Sequence, residues 1–442
     1  MKFRVLAGTA VLVLAACTPG ADNQPSSRPE GAVRTDAAAL GDVTLTIWDQ
    51  ETREGQDKQI TALNAQFQAK YPNIRINRVP RSFDDLRSTI KLGLTGNDAP
   101  DVAQVNNGKQ DMGAFVKAGL LRPLAGYATA YQWSQRFPES VRELASYPDT
   151  GGSLGEGELY GLAQTGELVG IFYNKAKLAE LGLRPPRTWD DFDAALARAK
   201  AAGQLPIQVG NLEKSAGPYL YSLALHRFGD AETESGLATG RADANWRTPA
   251  PGAAARAVVD WVDQGYLTTG FAGLKGDDSV AKFSTGEGLF HIDGTWILPT
   301  VHQAMGDNVG FLLPPAEGGK VSVTGGTGLP WAISSKSANP DAAAAYINFI
   351  TTPEAMKVLA DNGNLPVLDA GKQTASGARK EVFDAWQQAS NSPGLVPYLD
   401  YATPNAYEVI SGAVEQLMAK QLDVDAFLGK LQADLDASRG GR

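Results

Sequence analysis

The residues able to do chemistry are few, and their spacing does not suit it. Three histidines occur, His226, His291 and His302, and no two stand at metal-ligand spacing with a partner carboxylate, so no metal site is expected. His291 lies inside an apolar run, where a packed imidazole is the default. Cys17 is the only cysteine, which leaves the folded chain without disulfide or thiolate chemistry. There is no Walker loop and no G-x-G-x-x-G. Gly325-Gly326-Thr327-Gly328 is glycine-rich but lacks the lysine and helix of a phosphate cradle. Ser88-Thr89-Ile90-Lys91 matches S-x-x-K formally, but its companion motifs are missing and Ile90 belongs to an apolar helical stripe. Asp190, Asp191 and Asp193 read as first-turn residues of a capped helix. A carboxylate pair for glycoside hydrolysis depends on three-dimensional geometry and stays open. The sequence calls for no cofactor and no enzyme.

The elements that must carry any site alternate between strand and helix. Val43 to Trp48 is a β-branched strand, and Ile60, Leu63, Phe67 and Tyr71 mark one face of the helix after it. Ile74 to Asn77 and Asp101 to Val105 are further strands, separated by a helical face at Phe83, Leu86, Ile90 and Leu94. This β-α-β-α-β order predicts a parallel sheet with right-handed crossovers. After a glycine-rich stretch at 151–157, strands are expected at 171–173, 205–209, 289–292 and 309–313. Thr188 and Asp191 form a capping box for a helix through Ala201, and a helix from Pro251 ends at Gly265. From Pro340 the chain is mostly helical. About 400 residues without a repeat imply two α/β lobes, with ligands favoured at strand carboxyl ends.

The N-terminus predicts export. Lys2 and Arg4 precede an apolar run, Val5 to Ala16, that is well short of the roughly 20 residues needed to span a bilayer. It ends in Leu14-Ala15-Ala16-Cys17, which resembles the lipobox of bacterial lipoproteins. Residues 1–17 are therefore expected to be a lipoprotein signal peptide with Cys17 lipidated, holding the protein extracytoplasmically at the cell membrane. Residues 18–41, rich in Pro, Ser, Ala, Asp and Gly, are expected to form a flexible tether. The net charge of −9 and the lack of a basic cluster argue against nucleic acid as a partner.

Several segments in series resemble the extracellular solute-binding proteins of carbohydrate ABC importers, the family of maltose-binding protein. They are Ile47-Trp48-Asp49, Ala99-Pro100-Asp101-Val102, Ala118 to Leu124, Phe172-Tyr173-Asn174-Lys175 and Pro185 to Phe192. Lys282 to Gly286, Ile292-Asp293-Gly294-Thr295-Trp296, Leu313-Pro314-Pro315 and Gly363 to Val367 continue the series. The resemblance spans about residues 42–420. It implies a two-lobed, periplasmic-binding-protein-like α/β fold with discontinuous lobes joined by hinge strands. Lobe one would hold 42–160 and 326–370, and lobe two 161–325 and 371–442. Hinge crossings are expected near Leu162-Ala163-Gln164, near Thr324 to Thr327 and after Val367. The implied partners are a small carbohydrate and the transmembrane subunits of an ABC permease, with the chain acting as a monomer and the lobes closing on the ligand.

A sugar offers hydroxyls at its rim and apolar C–H faces, so its site combines aromatic platforms with planar polar side chains. Carried over from the family, the candidates are Gln50 and Glu51 after the first strand and Asn106 and Asn107 after the third, with Lys109 and Gln110 nearby. Glu167 stands where the family contacts sugar, and Trp296, following Asp293, matches its stacking tryptophan. Gly326 and Thr327 lie at a hinge; Tyr219, Tyr398, Tyr401 and Asn405 are looser carry-overs. Thr327 and Leu329 depart from the bulkier residues of many relatives. A non-sugar solute and a lipid-anchored glycoside hydrolase remain as alternatives. An anion binder would need helix N-termini or arginines in the cleft, and the candidates are mostly amides, acids and aromatics.

Overall fold

The structure is a computed structural model that describes residues 33–316 and 321–440. Cys17, the signal peptide and the first part of the expected tether lie outside the described residues. The last part of that tether is a correction. Residues 33–41 are docked on the folded body: Ala37–Leu40 is a turn of 3₁₀-helix, capped by Asp36, with Ala37 fully buried. Asn73 Nδ2 donates to Ala37 O (3.0 Å) and Gly41 O (2.9 Å), and Arg34 pairs with Asp341 at 3.0 Å. Composition suggested a tether because the segment has few large side chains. A distant asparagine satisfies its backbone instead.

Two sheets carry the molecule. The first has the strand order Ile74–Pro80, Val43–Asp49, Val102–Gln104, Trp331–Ile333, Gly161–Leu162. Its first three strands pair in parallel, as the β-α-β-α-β pattern requires, with Val43 opposite Ile74 and Ile47 opposite Val102. The two strands that arrive from later in the chain run antiparallel. The second sheet orders Leu395–Val396, Val323–Thr327, Gly166–Asn174, Phe290–Gly294, Ile207–Gln208, and Val309–Leu312 also pairs with 166–174. It is mixed, and its central strand Gly166–Asn174 meets all three of its neighbours antiparallel. The parallel pairing expected from residues 43–105 is confined to the first sheet, because connections that cross between lobes are not βαβ units.

The chain passes from the first sheet to the second between Leu162 and Gly166, and returns between Thr327 and Trp331. Gly328 N donates to Thr165 O (3.0 Å), and Thr165 bridges Pro366, so three crossing segments lie side by side. One apolar core gathers Leu45, Ile47, Phe67, Leu94, Trp331 and Tyr346 around the first sheet. Another gathers Ile171, Phe192, Tyr221, Val258, Phe290 and Val414 around the second. Helix Trp189–Ala201 begins with the capping box read from its sequence: Asp191 N donates to Thr188 Oγ1 and Thr188 N to Asp191 Oδ2, both at 3.1 Å. Among the described residues no helix is long and apolar enough to cross a membrane.

Candidate functional site

A cleft of about 240 Å³ opens between the two sheets. Its first wall starts at the carboxyl end of strand Val43–Asp49. Asp49, fully buried, takes a two-pronged contact from Arg78 at 2.7 and 2.9 Å, and Arg78 Nη2 also donates to Glu51 O at 2.6 Å. Gln50 N donates to Gln104 Oε1 at 2.8 Å. These bonds fix the loop that sends Gln50 and Arg53 into the cleft, and Gln56 joins them from the first turn of helix Glu54–Lys70.

The opposite wall rests on a pair of glycine and tryptophan. Strand Phe290–Gly294 ends in a 3₁₀ turn, Thr295–Ile297, and Thr295 Oγ1 accepts from Leu168 N at 3.2 Å. A Cβ placed on Gly294 would lie 2.1 Å from the Trp296 ring, so the indole lies flat on this bare backbone. Tyr219, from helix Ala216–Phe228, meets Trp296 at 5.7 Å between ring centroids and an interplanar angle of 55°. Tyr398 and Tyr401 form a second tilted pair at 5.5 Å.

Carboxylates fill the space between these rings. Glu167 accepts from Tyr398 OH at 3.2 Å, and protein on all sides pushes its pKa up to about 7, Glu51 adding to the effect. Asp400 is raised to about 7, chiefly by burial, although the Asn106 amide bonds to it. The same Asn106 Nδ2 donates to Asp111 Oδ2 at 3.1 Å, and burial raises Asp111 to about 6. Both Glu167 and Asp400 keep some contact with water through the cleft. Asp293 faces it too, held by Gly294 N at 2.7 Å and His291 Nε2 at 3.2 Å.

His291 is buried and stacked on Phe283, as an imidazole in an apolar strand should be, yet its edge also reaches the cleft. Its Nδ1 meets Gln208 O at 2.8 Å and its Nε2 meets Asp293.

Of the residues expected from sequence, Gln50, Asn106, Glu167, Tyr219, Asp293, Trp296 and Tyr401 line the cleft, as do Tyr398 and Leu329. Glu51, Asn107, Gly326, Thr327 and Asn405 do not, which corrects their expected place in the wall. Glu51 is turned inward, with Oε1 accepting from Gln104 Nε2 at 2.7 Å, and burial pushes its pKa up to about 7. Asn107, 1% exposed, is a bolt at the hinge: Nδ2 donates to Leu144 O (2.5 Å) and Thr327 Oγ1 (3.3 Å), and Oδ1 accepts from Tyr401 OH (3.3 Å). Asn405 is exposed ahead of helix Ala406–Met418. Sequence reasoning missed Arg53, Gln56, Phe83, Asp84, Glu213, Asp277, Asp400 and Tyr407, all in the lining. Most lie in loops or at helix ends with no periodic signal, and the acids read there as ordinary solvated residues.

Contacts join the two walls around the cleft. Arg87 lies 3.9 Å over the Tyr407 ring and pairs with Glu408 at 3.0 Å. Lys109 Nζ donates to Thr239 O at 2.7 Å, and Arg53 pairs with Asp277 at 3.1 Å. These contacts bridge the two lobes.

The chain matches the family of bacterial extracellular solute-binding proteins over residues 51–357. It belongs to that family. As a solute-binding protein it is 22% identical over 334 residues to the "Multiple sugar-binding protein" of Streptococcus mutans, covering 74% of this chain and 76% of that protein. It is likewise 22% identical over 404 residues to the "Lactose-binding protein" of Rhizobium radiobacter, covering 83% and 85%. Among solved structures, a chitin oligosaccharide binding protein superposes with a TM-score of 0.78 at 23% identity, covering 90% of this chain and 99% of that one. The two-lobed fold is therefore shared with known binding proteins, and the family is one of binding proteins rather than enzymes.

One cluster in this solute-binding protein imitates a catalytic triad. His226 is flanked by Ser322 and Glu234, but both sit at Nδ1, with Ser322 Oγ at 3.0 Å, while Nε2 accepts from Thr324 N at 2.9 Å. A base that activates serine needs the hydroxyl and the acid on opposite nitrogens. Here the three side chains tie strand Val323–Thr327 to two helices. Among the described residues no group of three or more His, Cys, Asp or Glu could hold a metal ion.

Proposed function

We propose that this solute-binding protein captures a mono- or oligosaccharide for an ABC importer, working as a monomer anchored extracytoplasmically through lipidated Cys17 and catalysing no reaction. The observation that carries the reading is the pairing of Trp296 and Tyr219 beside Glu167, Asp293 and Gln50. Rings stack on the C–H faces of a sugar, while amides and carboxylates accept and donate at its rim. Unpaired buried polar groups cost about 1–3 kcal/mol each, which makes such a rim selective. The sugar-binding names of the relatives from Streptococcus mutans and Rhizobium radiobacter support the same reading. At about 240 Å³ the cleft is below the usual ~300–1,000 Å³ of ligand pockets, which suits a short saccharide.

Calorimetry and thermal shift against a panel of mono-, di- and trisaccharides test this directly. At least one member should bind with a dissociation constant near micromolar, about −8 kcal/mol, and raise the melting temperature. A flat response across the panel would remove the reading. Chromogenic glycosides should give no product, and sustained release would instead indicate a hydrolase. Metabolic labelling with a fatty acid should mark the wild type and not Cys17→Ser.

A further inference from the structure

The cleft is far more acidic than hydroxyl recognition needs. Asp84, Glu167, Glu213, Asp277, Asp293 and Asp400 line it, against one guanidinium, Arg53, and the imidazole of His291. Both are already engaged, the guanidinium by Asp277 and the imidazole by Asp293. Arg87 acts on Asp84 and Asp400 from behind the wall, and it is taken up by Glu408 and the Tyr407 ring. Among the described residues, Glu213 accepts from Gly276 N at 3.0 Å and Glu167 from Tyr398 OH at 3.2 Å. Carboxylates gathered in a half-dry space repel one another and lose hydration, which is costly unless a counter-charge enters.

The aromatic side chains favour the same visitor. Phe83, Tyr219, Trp296, Tyr398, Tyr401 and Tyr407 line the cleft, and ring faces attract cations. The two features are independent, since neutral saccharides need rings but not a surplus of negative charge, and an anionic saccharide would be repelled.

We infer that the solute carries a positive charge among its hydroxyls: a saccharide bearing a free amine, its ammonium seated between the carboxylates of Glu167 and Asp400. This rests on the saccharide reading above. Burial raises both carboxyl groups to about 7, with Arg53 acting on Glu167 and Arg87 on Asp400 only partly offsetting it, so each gains from an incoming cation.

The test uses matched pairs on the full mature protein: glucose with glucosamine, galactose with galactosamine, and the β-1,4 disaccharide of N-acetylglucosamine with its deacetylated form. In pairs that bind, the amine member should bind about tenfold or more tightly, the worth of one charge-assisted hydrogen bond. Glu167→Gln and Asp400→Asn should each cut that preference, read as the ratio of the amine to the neutral affinity in the same variant, about tenfold. Choline serves as a cation without a sugar ring and should bind more weakly than the amino sugars. If neutral saccharides bind and no amine counterpart binds more tightly, the charge inference is overturned and the saccharide reading stands. If choline outbinds every amino sugar, or no sugar of either kind binds, both fall. The wild-type comparison decides the matter even if a variant misfolds.

Discussion

Trp296 can lie where it does only because position 294 has no Cβ: its ring occupies the space a methyl group would need. Gly294→Ala should therefore displace the indole and weaken saccharide binding nearly as much as Trp296→Ala, about tenfold, or ~1.4 kcal/mol. Calorimetry on both variants checks this. Trp48 offers a contrast. It is sandwiched between Gly93 and the Arg81 guanidinium, 4.0 Å over its ring, and lies outside the cleft, so ligand-dependent tryptophan fluorescence should vanish in Trp296→Phe and persist in Trp48→Phe. The buried carboxyl groups set a pH dependence. Glu51, Glu167 and Asp400 sit at about 7 and Asp111 at about 6, above their ordinary values near 4, so the folded chain holds these protons more tightly than the unfolded chain. Their contribution to stability is full below about pH 4 and is lost as pH rises through 6 to 7. The melting temperature of the ligand-free protein should thus fall between pH 5 and 8, and less steeply in a Glu167→Gln, Asp400→Asn double variant. A scan of thermal unfolding against pH reads both slopes.

Helix Trp189–Ala201 shows how local chemistry delimits an element without touching function. Thr188 and Asp191 satisfy each other's backbone N–H groups at the helix start. Thr188→Ala should cost about 1 kcal/mol of stability, visible in urea denaturation, with affinity unchanged because the helix does not line the cleft. Strand Val43–Asp49 does the opposite: its alternation buries Leu45, Ile47 and Asp49, and the last of these, bound by Arg78, aims the loop that carries Gln50 and Arg53. Such elements were legible because periodicity and capping are local properties. Sheet partners were not: nothing local to Trp331–Ile333 states that it runs antiparallel beside Val102–Gln104.

The contacts that bridge the lobes should govern closure. Arg87 bridges to Tyr407 and Glu408 from helix Phe83–Thr95, so Arg87→Ala should shift the ligand-free protein toward an open form. Small-angle scattering should show a larger radius of gyration, and saccharide affinity should fall about two- to fivefold, the worth of one cation–π contact and one half-exposed ion pair. What the sequence determined by itself was the alternation of strand and helix, the family, and the residues at strand ends, because hydrophobic period and short motifs act over neighbouring positions. Only the tertiary structure decided which of those residues face the cleft. Asn106 and Asn107 are adjacent and of one type, yet the first lines the cavity and the second locks the hinge. Successive side chains leave the backbone in different directions, and what each then meets is supplied by segments hundreds of positions away, such as Thr327 and Tyr401. The acidic surplus arose the same way, from carboxylates scattered between Asp84 and Asp400 that only folding brings to one cavity.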